Sequence, residues 1–265
     1  MQITVLVENQ PLEGFRAAHG LSLYVEWEDR RLLFDAGPDD TLLHNAALLG
    51  VDLSKVDTAV LSHGHYDHGG GLPAFLAINP HARVYIQRQA FRLHESRTLP
   101  PYRNIGLDPA LMDHPQVRLL DGDTDIDDTL RLFTVPDRSL CPSTANSNLY
   151  EDGAPDTFGH EQNLLIRHRG GNVLLMGCCH TGVVNILRKA APLQPKTCIG
   201  GFHLYSPARD ETVSPELMDR IAEHLREYPD IRFYTGHCTG QTACDHLAAR
   251  LPHLRYLHGG ERLTL

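Results

Sequence analysis

The apolar positions in the first half of the chain predict strands separated by two short helices. Runs of alternating apolar residues bounded by turn residues are typical of strands. The predicted strands are Ile3–Val7, Leu21–Trp27, Arg31–Asp35, Thr58–Leu61, Arg83–Gln87, Val117–Asp121 and Leu130–Val135. Apolar residues recur at helical spacing from 42 to 49, with Gly50 placed to end that helix, and 72–78 forms a second helical run.

The second half predicts a hairpin followed by helix–strand units. Two apolar runs, 164–168 and 172–176, flank a Gly-Gly turn, as in a hairpin. A helix is predicted from Ser214, which is a good N-cap followed by proline, and another near 243–251. The stretch from 136 to 160 has no periodicity, so we expect an unstructured loop that covers the site and sets specificity.

These elements together predict an α+β fold of two mixed β-sheets packed face to face, with helices outside. Pattern alone leaves an open doubly wound sheet as the alternative, but the chain has many hairpins and no Gly-rich phosphate turn. The chain is 265 residues long and has no linker or low-complexity tract. We therefore expect a single domain, residues 1–265.

Composition narrows the class of partner. The net charge of −9 without a basic stripe argues against nucleic acid, although a phosphorylated small molecule remains compatible if a bound metal reverses the local field. No apolar run approaches ~18 residues and no leader pattern opens the chain, so we expect no membrane contact and a cytoplasmic location. The six cysteines are expected to be reduced thiols.

The sequence LSHGHYDH at 61–68 carries the strongest chemical signal. His63, His65, Asp67 and His68 follow a strand directly, and imidazole and carboxylate are ligands of zinc, iron and manganese. Their spacing spreads around a helix but suits a tight turn at a strand end, where Gly64 loosens the backbone. The pattern predicts two metal ions held side by side rather than a solvated loop.

Four other apolar runs also end in a small residue with a potential ligand beside it. The ligands are Asp35, the pair Cys178 and His180, His203 and His237. Since strand carboxyl ends collect at one edge of a sheet in layered α/β proteins, these residues are expected to converge on one site.

With these motifs the chain resembles the metallo-β-lactamase superfamily, which implies an αβ/βα sandwich with a metal site, usually dinuclear. Within it, the chain is similar to the subgroup of the methanopterin-related ribofuranosyl-aminobenzene 5′-phosphate synthase. The stretches that carry this likeness are Ala18–Ser22, Leu61–Leu72, Gly177–His180, Gly200–Leu204 and Gly236–Gly240.

The resemblance implies specific roles for the residues of the octet. It places His63 and His65 on one ion, and Asp67 and His68 on the other. It gives Asp35 a hydrogen-bonding role that steadies the histidines.

The chain departs from the family pattern elsewhere. No histidine lies in 133–137, and Cys178 stands where a bridging aspartate is usual. We expect His180 to replace the missing histidine and His237 to be the last ligand, with His203 as its competitor. Cys178 is predicted as a ligand, with a buried apolar role as the alternative.

The implied activity is that of a metal-dependent hydrolase, in which a metal-bound hydroxide attacks an ester, lactone or phosphoester. Asp67 would orient or deprotonate the water. A histidine left out of the metal shell, His203 or else His237, would protonate the leaving group. Two divalent ions are expected, zinc first, with manganese, iron or magnesium as alternatives. The substrate is expected to be a small molecule.

Other functions stay open. One is a pterin-type transferase; another is a catalytically silent metal-binding protein. A di-iron redox role is disfavoured because no flavin-binding segment is present. Phosphate recognition would fall to Arg138, Arg97 or Arg103, and His19 either faces substrate or belongs to a turn.

The remaining histidines are interpreted as surface residues. For His160 and the adjacent Glu161, a surface position is preferred over substrate binding. The others are His44, His81, His94, His114, His168, His224, His246, His253 and His258.

Overall fold

The computed structural model describes residues 1–265 and contains twenty strands. In chain order they are β1 (Gln2–Val7), β2 (Ser22–Trp27), β3 (Arg30–Phe34), β4 (Thr58–Val60), β5 (Arg83–Gln87), β6 (His94–Ser96), β7 (Arg103–Asn104), β8 (Val117–Leu120), β9 (Thr124–Asp125), β10 (Leu130–Phe133), β11 (Leu149–Glu151), β12 (Ala154–Pro155), β13 (Asn163–Ile166), β14 (Asn172–Leu175), β15 (Pro195–Ile199), β16 (Tyr205–Ser206), β17 (Glu211–Thr212), β18 (Arg232–Thr235), β19 (Leu254–Tyr256) and β20 (Arg262–Thr264).

The helices are short. The α-helices are α1 (Thr41–Leu48), α2 (Tyr66–Gly69), α3 (Leu72–Ile78), α4 (Val183–Ala190), α5 (Pro215–Leu225) and α6 (Gln241–Ala248). The 3₁₀ helices are Leu53–Lys55, Arg88–Phe91, Pro109–Asp113, Thr144–Asn148, Ala191–Leu193 and His237–Thr239. No helix combines the length and the apolar character that crossing a membrane requires.

The chain forms two compact units. Unit 1 comprises Met1–His94, Ile105–Gly122 and His258–Leu265, and unit 2 comprises Glu95–Asn104 and Asp123–Leu257.

Unit 1 is built on a seven-stranded mixed sheet in the order β20-β1-β2-β3-β4-β5-β8. The neighbouring strands β3, β4, β5 and β8 are parallel, and Phe34 of β3 lies opposite Val60 of β4. Apolar residues of α1 and α3, among them Leu42 and Phe75, pack in one buried cluster with Leu33 of the sheet. The parallel register brings the ends of β3 and β4 to the same edge.

Unit 2 is built on a second seven-stranded mixed sheet in the order β19-β18-β15-β14-β13-β10-β9. The strands β14, β15, β18 and β19 are parallel. Helices α4, α5 and α6 share a buried cluster with this sheet, in which Ile186, Ile221 and Leu247 pack with Cys198 and Phe233. Three parallel strands therefore end at one edge, where the predicted ligands follow.

The predicted α+β fold with mixed sheets and flanking helices is confirmed. The predicted hairpin is β13–β14, and the Ser214 hydroxyl caps α5 by accepting from the Leu217 N–H.

The prediction that 136–160 is unstructured is wrong. This segment contains the 3₁₀ helix Thr144–Asn148 and strands β11 and β12, which belong to a four-stranded sheet in the order β12-β11-β6-β7. Polar side chains hold it: Ser143 caps the 3₁₀ helix, and Asn148 Nδ2 donates to Ser96 Oγ at 2.8 Å. Such elements leave no apolar periodicity in the sequence, so pattern reasoning missed them.

Candidate metal centre

Unit 1 gathers the histidines of the octet in a turn, residues 62–68, that we call the histidine turn. It starts two residues after β4 and runs into α2, which begins at Tyr66. His63, His65, Asp67 and His68 are all buried. The ring centroid of His63 lies 4.6 Å from that of His65 and 4.2 Å from that of His68. Three imidazoles therefore share one small volume beside a carboxylate, a donor set that suits zinc.

Asp35, directly after β3, ties this turn together. One carboxylate oxygen accepts from the Ser62 N–H at 2.7 Å, and the other accepts from Ser62 Oγ at 2.8 Å and from His68 Nδ1 at 2.7 Å. His68 therefore carries its proton on Nδ1 and keeps the Nε2 lone pair as a ligand atom. The backbone at Asp35 is left-handed, with φ of 59°, a conformation that aspartate tolerates better than most residues.

The same serine sets the tautomer of His63. Ser62 Oγ lies 2.8 Å from His63 Nδ1, and its own proton is directed to Asp35. The His63 Nδ1–H is therefore the donor, so Nε2 presents a lone pair. Two histidines are thus prepared as neutral Nε2 ligands by one carboxylate and one hydroxyl.

His19, predicted as a substrate contact or a turn residue, lies beside Asp67. Its Nε2 is 3.4 Å from Asp67 Oδ2, and its side chain is 40% exposed. Gly20 allows this approach, because a Cβ at that position would strike the backbone carbonyl of Asp67. His19 is thus the solvent-facing neighbour of Asp67.

The structure places His94 in the interior, although a surface position was predicted for it. It is fully buried, its ring centroid lies 5.6 Å from that of His65, and its Nε2 lies 3.3 Å from the carbonyl of Gln89. The surface interpretation is wrong, since His94 begins β6 and is covered by the fold. A lone histidine in an irregular segment gives no signal of burial.

Unit 2 presents the second set of predicted ligands, which we call the Cys–His edge. Its members are Cys178, His180, His203, His237 and Cys238, all buried, and they follow β14, β15 and β18. The donor atoms of Cys178, His180 and His203 lie within 4.8 Å of one another, as do those of Cys178, His237 and Cys238. The two groups share Cys178.

The backbone of this edge adopts unusual conformations. Cys179, His203 and His237 have φ values of 56°, 47° and 48°. Non-glycine residues in this left-handed region cost about 1 kcal/mol each, and such strain collects at functional sites. Hydrogen bonds compensate: Ser143 Oγ donates to the carbonyl of His203 at 2.5 Å, and Thr239 Oγ1 accepts from the Phe202 N–H at 2.8 Å.

Three residues for which sequence analysis predicted no supporting role hold His180 in place: Asn146, Phe158 and Glu161. Asn146 Nδ2 donates to the His180 carbonyl at 2.9 Å, so its Oδ1, 2.9 Å from His180 Nδ1, accepts the ring proton. The Phe158 ring stacks on the imidazole, with centroids 4.7 Å apart and planes within 6°. Glu161 accepts from the backbone N–H groups of His180 at 2.6 Å and of Thr181 at 2.9 Å.

The surface interpretation of His160 and Glu161 is therefore wrong. Both are buried, and His160 Nε2 lies 3.2 Å from Asp156 Oδ2. Burial raises the pKa of Glu161, although bonds from Thr181 and His180 and the charge of His203 oppose the rise. Neither residue lies in a periodic apolar run, so their burial gave no sequence signal.

A cavity of about 360 Å³ opens beside His180 in unit 2. Its wall includes Arg138, Ser143, Asn146, Asp156, Phe158 and His180. Arg138 donates to the backbone carbonyl of Asp156 at 3.3 Å, while the Asp156 carboxylate is used by Phe158 N and His160. Of the other two arginines considered for phosphate, Arg97 is paired with Glu95 at 2.5 Å and Arg103 is exposed on β7.

The buried thiols of unit 2 differ in acidity. Burial raises the pKa of Cys179 well above the ordinary value. For Cys238, burial also acts to raise the pKa, but hydrogen bonds with Cys178 and His203 and the charge of His237 outweigh it and hold the pKa well below the ordinary value. Cys238 is thus the thiol of this edge that its surroundings favour as a thiolate.

Comparison with known proteins shows a likeness to one superfamily. A family model described as the metallo-beta-lactamase superfamily matches residues 16–144. The crystal structure of a metal-dependent hydrolase of the beta-lactamase superfamily gives a TM-score of 0.82 at 29% identity, covering 100% of this chain and 99% of that one. The chain is similar to the metallo-β-lactamase superfamily over residues 16–144 and has its metal-dependent hydrolase-like fold.

Similar proteins carry different descriptions. An uncharacterized protein of Methanocaldococcus jannaschii is 28% identical over 270 residues, 98% of each chain. A 7,8-dihydropterin-6-methyl-4-(beta-D-ribofuranosyl)-aminobenzene-5′-phosphate synthase of the same organism is 26% identical, covering 85% of this chain and 82% of that protein. Zinc-bound PqqB from Methylobacterium extorquens has a TM-score of 0.59 at 15% identity over 100% of both chains, a likeness of fold alone.

The donor chemistry fits the divalent metal that this superfamily typically binds. In unit 1, the histidine turn offers neutral imidazoles with defined tautomers and a carboxylate. In unit 2, the Cys–His edge offers imidazole and sulfur. Imidazole and thiolate favour zinc or iron over magnesium, whose preferred ligands are oxygens.

Proposed function

We propose that the protein is a metal-dependent hydrolase of an ester, lactone or phosphoester bond. The observation that carries the proposal is the histidine turn, in which buried imidazoles are gathered while Asp35 and Ser62 set their tautomers. A buried cluster of this kind has little structural use, because apolar side chains would fill the space at lower desolvation cost. The likeness to a superfamily of mostly metal-dependent hydrolases supports the same reaction class.

The proposed ligands are those predicted from the sequence: His63, His65, Asp67, His68, Cys178, His180 and His237. We propose two ions, zinc first, with the donors of the histidine turn and of the Cys–His edge both required. Asp35, Ser62, Asn146 and Glu161 hold ligands in place without binding metal themselves.

A bound divalent ion would make a coordinated water more acidic and would polarise the substrate's carbonyl or phosphoryl oxygen. The chain's own groups supply the proton transfers. Asp67 orients the attacking water and takes up its proton at a carboxylate oxygen, and His19 at 3.4 Å is placed to relay that proton toward solvent. His203 donates a ring proton to the departing oxygen.

Metal analysis of purified protein, combined with a panel of ester, lactone and phosphodiester substrates, tests this proposal. We expect about two equivalents of metal in the wild type, and in His63→Ala the loss of metal with a fall in kcat/KM of on the order of 10³. His44→Ala, which changes a half-exposed histidine of α1, is the matched control. Full metal content in His63→Ala, or wild-type turnover after chelation, would reject the hydrolase.

A second candidate is a transferase of the pterin type. It is favoured by the 26% identity to the synthase of M. jannaschii and by Arg138, a cation on the wall of the cavity beside His180. In a transferase, the donor releases pyrophosphate only when a carbon atom of the acceptor displaces it. Release of pyrophosphate from a phosphorylated donor only when an aminobenzene acceptor is present would therefore favour this candidate over hydrolysis.

A further inference from the structure

We propose that Cys238 is a metal ligand and that, with Cys178 and His237, it forms a sulfur-rich site for a zinc-like cation within unit 2. From sequence, Cys178 and His237 are predicted ligands, whereas Cys238 has no assigned role. Any catalytic role of this site rests on the proposed metal-dependent function. Its test measures binding alone, so the two can fail separately.

The distances fit a shared ion. The donor atoms of Cys178, His237 and Cys238 lie within 4.8 Å of one another. Ligand atoms in a tetrahedral zinc site lie roughly 3.3–3.8 Å apart, given bond lengths of about 2.0–2.3 Å. Small side-chain rotations therefore suffice to close the group around an ion, without movement of the strands that carry it.

Charge balance favours two thiolates over one. All three residues are buried, at 3% exposure or less. A divalent cation held only by neutral imidazoles leaves two positive charges in a region of low dielectric constant, which is costly. Two thiolates cancel that charge, so the complex with Cys178, Cys238 and His237 is neutral.

The fold leaves space for the Cys238 sulfur. Gly201 lies beneath it, and a Cβ at position 201 would collide with Cys238 Sγ. The Cys238 thiol donates to the Cys178 carbonyl at 3.6 Å, which holds the two cysteines side by side.

The buried ring of His203 is a second observation that supports a cation site beside Cys178. His203 is 92% buried, and neither of its ring nitrogens has an oxygen or nitrogen partner. It belongs to the other donor group that contains Cys178. A buried imidazole whose hydrogen bonding is limited to the Cys238 thiol keeps a ring nitrogen for a cation or a substrate. The sulfur-rich group thus has a further nitrogen donor beside it.

Cobalt(II) is the probe, because thiolate ligands give it an intense near-ultraviolet charge-transfer absorption that nitrogen and oxygen ligands do not. Apoprotein is titrated with cobalt(II) and then with zinc. We expect the band in wild type, about half its intensity in Cys238→Ala and in Cys178→Ala, and none in the double variant. Zinc should displace cobalt, and magnesium should not.

Cys244→Ala is the matched control, since Cys244 is also a buried thiol of unit 2 but lies on α6. It should keep the full band. Gly201→Ala retains both thiols but crowds Cys238, so we expect weaker zinc binding, by about tenfold or more. Circular dichroism confirms that each variant is folded.

The proposal is overturned if Cys238→Ala keeps the wild-type intensity, or if the wild type gives no band. If the band behaves as expected but no substrate of the panel is turned over, the site stands and the hydrolase does not. Turnover by a Cys238→Ser variant with an unchanged cobalt spectrum would instead support the hydrolase and reject Cys238 as a ligand.

Discussion

At the scale of single residues, the chemistry depends on which ring nitrogen carries a proton. Asp35 accepts a hydrogen bond from the Nδ1–H of His68. Ser62 accepts one from the Nδ1–H of His63, and Asn146 accepts one from the Nδ1–H of His180. Each bond leaves Nε2 available and fixes the plane of the ring. The candidate ligands could be predicted from the sequence, but of the groups that support them only Asp35 could. The others lie at sequence distances that no spacing rule relates to their histidine.

The substitution Asp35→Asn tests whether the carboxylate of Asp35 sets the tautomer of His68. An amide at position 35 tolerates the left-handed backbone and can still accept from the Ser62 N–H, so the variant should fold. Its NH₂ group, however, would face His68 Nδ1 and move the ring proton to Nε2. We expect zinc affinity to fall by about 10- to 100-fold, measured by competition with a chromophoric chelator. An unchanged affinity would show that Asp35 has only a structural role.

Asn146 is predicted to position His180. Asn146→Ala removes the acceptor for the ring proton, and we expect kcat/KM to fall by about tenfold with a change in the tautomer of His180. Nitrogen-15 chemical shifts of the imidazole report that tautomer directly. Asn146→Asp keeps an acceptor and should restore the tautomer. A loss of activity with the tautomer preserved would contradict the positioning role.

At the scale of elements, parallel strand pairs place the donors. The ends of β3 and β4 in unit 1, and of β14 in unit 2, were predicted to within one residue. Near-continuous apolar runs specify such strands because each is buried on both faces. The short pairs β6–β7 and β11–β12 were missed, because side-chain hydrogen bonds rather than apolar burial define them.

Asp123 joins three elements of unit 2 and gives a pH-dependent prediction. Burial acts to raise its pKa, but bonds from Lys189 on α4 and from the Thr134 N–H after β10 outweigh this and lower it. The stability it contributes is therefore present above its unfolded pKa, about 3.9, and is lost as pH falls through the lower folded value.

For Asp123→Asn we expect the free energy of unfolding to fall by about 0.5 kcal/mol at neutral pH, since the carboxylate is 31% exposed and partly screened. The difference from wild type should vanish in strongly acidic solution. Urea unfolding at several pH values measures both. A constant difference at every pH would mean that packing, not charge, links these elements.

At the scale of the whole molecule, the class of fold was predictable from pattern and motif, whereas burial of isolated polar residues was not. Mixed sheets with flanking helices follow from strand and helix periodicity. His94, His160 and Glu161 were assigned to the surface because a polar residue in an irregular segment is usually exposed, yet all three are buried. Their burial depends on long-range contacts that periodicity does not encode.

Metal removal is predicted to destabilise the entire chain. Buried imidazoles and thiols that bind an ion only in the folded state link folding to metal, by about 4 kcal/mol when free metal exceeds Kd a thousandfold. We expect the Tm to rise with zinc concentration and to fall on chelation, measured by calorimetry. A Tm independent of zinc would contradict resident metal binding.

The residues with left-handed backbone at the strand ends also affect which substitutions this chain can accumulate. At Cys179, His203 and His237 the backbone conformation is one that glycine adopts at no cost. Replacing either histidine with glycine would thus recover about 1 kcal/mol of backbone strain while removing a donor. Because this relief offsets part of the stability lost with the proposed metal, single substitutions here should keep the fold while removing metal binding, so descendants of this chain can lose that binding before they lose their fold.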